Sequence, residues 1–289
     1  MDIRLIDTGF FHADGGAMFG AIPKTAWSRR YPSNEQNGCI LAMRSMLIHN
    51  GEGKIILIDN GAGNKHLKRL SYYNFFGLID LKDELLKQGI TCEEVTDVIL
   101  THLHFDHCGY TTQQEKLPDG NTLYKMSFPN ATHWVSRRQW ENFLHPNALE
   151  ADSYFIENMQ TVCENSKLCL IENDTTLCPG INLRLFDGHT PGQIVPYVTT
   201  PERTYVFAGD VIPLAASVSP AWISAYDTCP LVSYNEKLRM LEEAAAENQA
   251  IIYCHDAYTA SSTVKKVNDF FKTDQKFVSL SDYNHNKTF

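Results

Sequence analysis

The sequence predicts a mixed α/β fold from two patterns, and a third pattern shows where its chemistry lies. Short apolar, β-branched runs such as Val98-Ile99-Leu100 and Ile251-Ile252 have the length of buried strands. Other stretches carry apolar residues at helical spacing, Leu78, Leu81, Leu85 and Leu86 among them. The third pattern is His102-Leu103-His104-Phe105-Asp106-His107, which directly follows one of the strand-like runs. In extended backbone alternate side chains point the same way, so the imidazoles of His102 and His104 can reach one metal ion. Asp106 and His107 come after a change of direction and can face a second ion beside it.

The opening residues 2–8 read as a strand. Residues 10–27 mix Phe10, Phe11, Met18, Phe19 and Trp27 with glycines and Pro23, follow no period, and hold more apolar surface than a solvated loop tolerates. They must cover the core, a pocket or a second subunit, and a homodimer is one expectation. Residues 38–49 and 54–59, joined at Asn50-Gly51, predict a hairpin. A helix from Leu78 to about Gly89 follows, then a capping box, Thr91 with Glu94, before the metal motif. A loop through Pro118-Asp119-Gly120 leads to a strand at 131–136 and helices at 137–144 and 150–163, a region whose role stays open. A strand at 183–187 runs into Gly188-His189-Thr190-Pro191-Gly192, and another at 205–208 runs into Gly209-Asp210. Ser233 and Glu236 suggest a second capping box, heading a helix with Leu238, Leu241 and Ala245 on one face. The last run, Ile251-Ile252-Tyr253-Cys254, delivers His255.

The chain resembles the metallo-β-lactamase-fold hydrolases, which share the His-rich motif at 102–107, the loop at 188–192 and an aspartate after the strand that ends near Asp59. The segment Asp14-Gly15-Gly16-Ala17-Met18-Phe19-Gly20 is similar to one in a subgroup that includes quorum-quenching N-acyl-homoserine lactonases and organophosphate hydrolases resembling methyl parathion hydrolase. The resemblance implies a four-layer αββα sandwich. It implies that His102, His104 and His189 hold one divalent ion, that Asp106, His107 and His255 hold another, and that Asp210 bridges them, with Asp59 behind the site. Five imidazoles and two carboxylates suit zinc, with manganese, iron or cobalt compatible. A bridging hydroxide would be the nucleophile, with Asp106 orienting it and carrying a proton to the leaving group. Several lactonases of the family have a tyrosine three residues after the bridging aspartate, where this chain has Pro213, and the family often has a histidine where it has Gln193. The expected substrate is a small ester or lactone, foremost an N-acyl-homoserine lactone. The alternatives are a phosphotriester and, further off, a thioester, a β-lactam or flavo-diiron redox chemistry.

Composition narrows the field. A chain of 289 residues can bury a sizeable core, and ligands spread from 102 to 255 without a linker imply one domain over 1–289. A net charge of −9, from 34 acidic and 25 basic residues, argues against nucleic acid as the partner. With no signal-like start and no long apolar run, a cytoplasmic protein without membrane contact is expected. The eight cysteines are scattered and read as mostly buried thiols rather than disulfides. Cys108 and Cys254 adjoin candidate ligands, but chain neighbours usually point elsewhere, so thiolate coordination is not expected.

Overall fold

Asn50 closes the first hairpin in the computed structural model of this chain, which describes residues 1–277; His285, a histidine that fits no position of the metal motif, lies outside them. The Asn50 carboxamide oxygen accepts from the amides of Glu52 at 2.8 Å and Lys54 at 2.9 Å, while Gly51 and Gly53 take left-handed φ of 80° and 90°. The described chain forms two compact units, Met1–Phe10 with Met43–Glu172, and Phe11–Ala42 with the described residues from Asn173 on. No described helix is long and apolar enough to cross a membrane.

The first half of the chain supplies strands β1 (Asp2–Asp14), β2 (Gly38–His49), β3 (Ile55–Ile58), β4 (Asp97–Ile99), β5 (Thr112–Lys116), β6 (Thr122–Met126), β7 (Thr132–Ser136) and β8 (Leu168–Ile171). A six-stranded sheet runs in the order β1-β2-β3-β4-β7-β8, and β5 pairs with β6 apart from it. The neighbours β3, β4, β7 and β8 are mutually parallel, which fits the continuous apolar runs of β3 and β8, whereas β7, Thr-His-Trp-Val-Ser, is mixed. The helix Leu81–Lys87 starts three residues later than its leucine pattern suggests, because Asp80 caps it by accepting from the amide of Lys82. Leu81 and Leu85 enter the core of this unit with Leu57, Val98, Leu100 and Val135. The capping box of Thr91 and Glu94 is present, but it heads a single 3-10 turn.

His133 sits fully buried in β7 opposite Val98, and burial pulls its pKa down from 6.5 to about 4. The folded state therefore refuses a proton that the unfolded chain accepts. The associated stability is complete above the unfolded value and is lost as pH falls towards the folded one. In urea unfolding at stepped pH, wild type should lose about 3 kcal/mol more than His133→Leu between those limits. Parallel pH profiles for the two proteins would refute the assignment.

The second half supplies β9 (Thr175–Cys178), β10 (Ile181–Phe186), β11 (Gln193–Thr199), β12 (Thr204–Phe207), β13 (Ala250–Ile252), β14 (Ser261–Val267) and β15 (Phe270–Phe277), in the sheet order β15-β14-β13-β12-β11-β10-β9. All pairings whose register is defined are antiparallel except β12 with β13, which the helix Pro230–Ala246 connects as a crossover. That helix corrects one expectation. Ser233 and Glu236 do not cap it: it begins at Pro230, whose fixed φ suits a first helical position, and both residues lie within it.

Residues 10–27 are more regular than their sequence suggests. β1 continues to Asp14, which caps the short helix Gly15–Phe19, and the helix Lys24–Trp27 follows. Phe19 stacks on Trp27 at 5.0 Å between ring centroids, with Trp222 edge-on at 5.8 Å. Phe11, Met18, Phe19 and Trp27 are buried inside the chain and cover core, while Phe10 is half-buried. The eight cysteines are free; Cys39, Cys92, Cys108 and Cys254 are buried, while Cys163 and Cys229 are exposed.

Candidate metal centre

In the first unit the motif begins three residues beyond the end of β4, at His102. His104 then occupies the N-cap of the helical turn Phe105–Cys108, and this turn supplies the change of direction that the sequence required. β4 itself stops at Ile99, yet the rings of His102 and His104 lie 4.5 Å apart and those of His102 and His107 4.0 Å apart. Asp106 Oδ2 is 3.7 Å from His107 Nε2. All three histidines are buried.

Asp59 supports this cluster from beneath. It follows β3 in the left-handed region at φ 53° and is buried. Its Oδ1 accepts from the amide of Thr101 at 2.8 Å, and its Oδ2 accepts from the Thr101 hydroxyl and faces His107 Nδ1, each at 2.8 Å. Burial raises its pKa, against the opposing pull of His107 and Thr101. Gly109, just past the turn, has to be glycine, because a Cβ there would stand 2.1 Å from the Ala62 carbonyl oxygen.

In the second unit three ligand candidates share one rule of position. β10, β12 and β13 run in the same direction, since β10 and β12 are each antiparallel to β11 and β12 is parallel to β13. His189, Asp210 and His255 each lie three residues beyond the last residue of one of these strands, Phe186, Phe207 and Ile252. Register alone thus delivers them to one edge. Asp210 receives one imidazole on each oxygen, His189 Nε2 at 3.3 Å from Oδ2 and His255 Nε2 at 3.1 Å from Oδ1.

The backbone around these candidate ligands is fastened by contacts the sequence did not foretell. Asp227 Oδ1 lies 2.9 Å from His189 Nδ1, and Thr228 donates to the His189 carbonyl from its amide and its hydroxyl. Glu236 accepts from the amides of Asp187 and Gly188, both at 2.9 Å. Pro213, where a family tyrosine is absent, accepts from the amide of His255 through its carbonyl at 3.1 Å. Gln193 donates to the Ala208 carbonyl, joining the loop to the strand that leads to Asp210. Tyr226 is 42% exposed, and it is its neighbour Asp227 that meets His189. Cys254 Sγ stands 3.1 Å from Asp210 Oδ1 and groups with Asp210 and His255, contrary to the expectation that it points elsewhere. Burial pushes its thiol pKa well up, so it serves Asp210 as an S–H donor.

One pattern unites the five imidazoles. Each keeps one ring nitrogen near a polar partner: His102 Nδ1 with the Thr101 hydroxyl, His104 Nε2 with Glu150, His107 Nδ1 with Asp59, His189 Nδ1 with Asp227 and His255 Nδ1 with the Ala42 carbonyl. A ring held in this way has its tautomer set and its opposite nitrogen aimed, as metal-ligating histidines do. The donor set of imidazole and carboxylate fits a borderline divalent ion such as zinc.

Comparison with known proteins agrees with this chemistry. The metallo-beta-lactamase superfamily profile matches residues 44–110. The N-acyl homoserine lactonase AiiA of Bacillus thuringiensis subsp. kurstaki is 25% identical over 178 residues, and the match spans 60% of this chain and 60% of that relative. A crystal structure described as a probable metal-dependent hydrolase from Staphylococcus aureus is 29% identical, with a TM-score of 0.86 over 96% of both chains. AidC, a dizinc quorum-quenching lactonase solved with N-hexanoyl-L-homoserine as product, shares the fold at 19% identity, with a TM-score of 0.74 over 95% of this chain and 94% of that one. The mixed α/β architecture with its several sheets is consistent with the sandwich expected from the sequence. The chain thus resembles the metallo-β-lactamase superfamily in the profile match at 44–110 and in its fold.

Proposed function

We propose that the protein is a metal-dependent hydrolase with two divalent ions, zinc foremost, and that it opens N-acyl-homoserine lactones or related lactones. The observation that carries this reading is the set of five oriented imidazoles, joined to a profile match and to relatives named as hydrolases and lactonases. In it His102, His104 and His189 hold one ion, Asp106, His107 and His255 hold the other, and Asp210 is shared. Bound divalent ions supply Lewis acidity and activate water at neutral pH. The imidazole at each oxygen of Asp210 supports its role as a shared ligand in this reading. Asp106 orients the attacking water and then passes its proton to the leaving alkoxide. Asp59 and Asp227 hold His107 and His189 in single ring orientations through turnover.

The test is a panel of lactone, phosphotriester, β-lactam and thioester substrates on protein of measured metal content. The expected result is lactone turnover that scales with metal and stops with a chelator. Because Pro213 offers no hydroxyl to a substrate carbonyl, turnover of a phosphotriester with lactones untouched would replace this reading by a phosphotriesterase.

A further inference from the structure

The region between the metal motif and the second sheet carries no family motif, yet it closes on a ligand. Glu150 is 4% exposed and stands in a polar stretch with no period. Its carboxylate is saturated: Oε1 accepts from Asn142 at 2.8 Å and Asn147 at 2.6 Å, while Oε2 lies 2.9 Å from both His104 Nε2 and the Tyr154 hydroxyl. Tyr154 extends the network. Its hydroxyl is also 3.0 Å from Gln139 Oε1, which accepts the amide of Leu103 at 3.2 Å, and its ring lies 5.0 Å from that of His104. The side chain of His104 and the backbone before it are thus held by one polar cluster, buried at Gln139, Glu150 and Tyr154 and closed towards the surface by Asn142 and Asn147. That cluster is built from the helix Arg137–Leu144 and the turns after it.

We propose that Glu150 is a positioning residue for the metal centre: through Nε2 it fixes the tautomer and orientation of His104 and turns Nδ1 to the ion, with Tyr154, Asn142 and Asn147 setting the carboxylate. A buried carboxylate has to be matched by donors, and here four are aimed at it from three different turns of chain, an investment that a surface loop does not need. An anionic acceptor also makes the imidazole a stronger ligand, so its loss should weaken one ion and spare the other. This inference rests on the metal-dependent reading of the site.

The experiment titrates Zn2+ into the full chain against a chromophoric chelator and records the absorption spectrum of the Co2+-loaded protein, for wild type, Glu150→Ala, Glu150→Gln and Tyr154→Phe. The expected result is a ten- to hundredfold loss of affinity for one of two ions in Glu150→Ala, with a changed cobalt spectrum. Glu150→Gln should fall between it and wild type, because an amide oxygen still accepts from Nε2–H without the charge. Tyr154→Phe should lose a few-fold. If Glu150→Ala does not fold, the other two variants decide. Folded variants that melt earlier but bind both ions with unchanged affinity and spectrum would overturn the proposal and leave the metal reading intact. Wild type that binds no ion would overturn both.

Discussion

Asp210→Ala should reduce kcat/KM by far more than the roughly 10–100-fold associated with an outer-sphere partner, and the purified variant should contain less metal than wild type. The reason is geometric. Asp210 has a histidine at each oxygen, so its removal takes away a proposed ligand and leaves His189 and His255 without the group between them. Asp210→Asn keeps the shape and one acceptor oxygen but loses the charge that would offset two cations in the proposed site, and should recover little of the activity. Metal content by mass spectrometry, alongside kinetics on whichever substrate the panel identifies, checks the claim. Full activity in Asp210→Ala would sink the shared-ligand model.

The second large effect is expected at Asp59, where stability and function should fall together. Asp59→Ala strands the amide and hydroxyl of Thr101 and the Nδ1 of His107 in a buried site. Each lost partner of a buried donor costs about 1–3 kcal/mol, and alanine at φ 53° adds about 1 kcal/mol more, so a total of roughly 3–5 kcal/mol is expected after partial relaxation. Urea unfolding gives this directly. Asp59→Asn tolerates the backbone but sets an NH2 where either Thr101 or His107 needs an acceptor, so it should retain more stability than alanine while still losing metal affinity. A change below about 1 kcal/mol in Asp59→Ala would mean that its hydrogen bonds are replaced by water.

What could be read in advance follows from how local each signal is. Strands and the candidate ligands beyond them were legible because an apolar run and the polar residue just beyond it are neighbours in sequence, as with Ile99 and His102 or Ile252 and His255. Glu150, Asp227 and Glu236 were not legible, since each is a lone carboxylate whose partner lies 46, 38 and 48 positions away and whose burial exists only after folding. Glu236 was worse than silent. The Ser-x-x-Glu spacing fits a capping box equally well inside a helix, and Pro230 was the signal that could have settled the start. The β5–β6 hairpin escaped because Thr112–Lys116 is polar on both faces and shows no alternation. The helix expected at 150–163 broke into two 3-10 turns and the short helix Gln160–Glu164.

The fastening of the Gly188-His189 loop by a residue inside a helix also bears on how such a site can be moved between proteins. Glu236 reaches the loop from 48 and 49 positions further along, and Gly188 lies so close to that helix that a Cβ would come within 2.4 Å of Ser233 Cα. A designer who grafts the five-residue loop onto another scaffold transplants the histidine without its clamp. The transferable part is the loop together with the first two turns of the helix and Asp227, a discontinuous module.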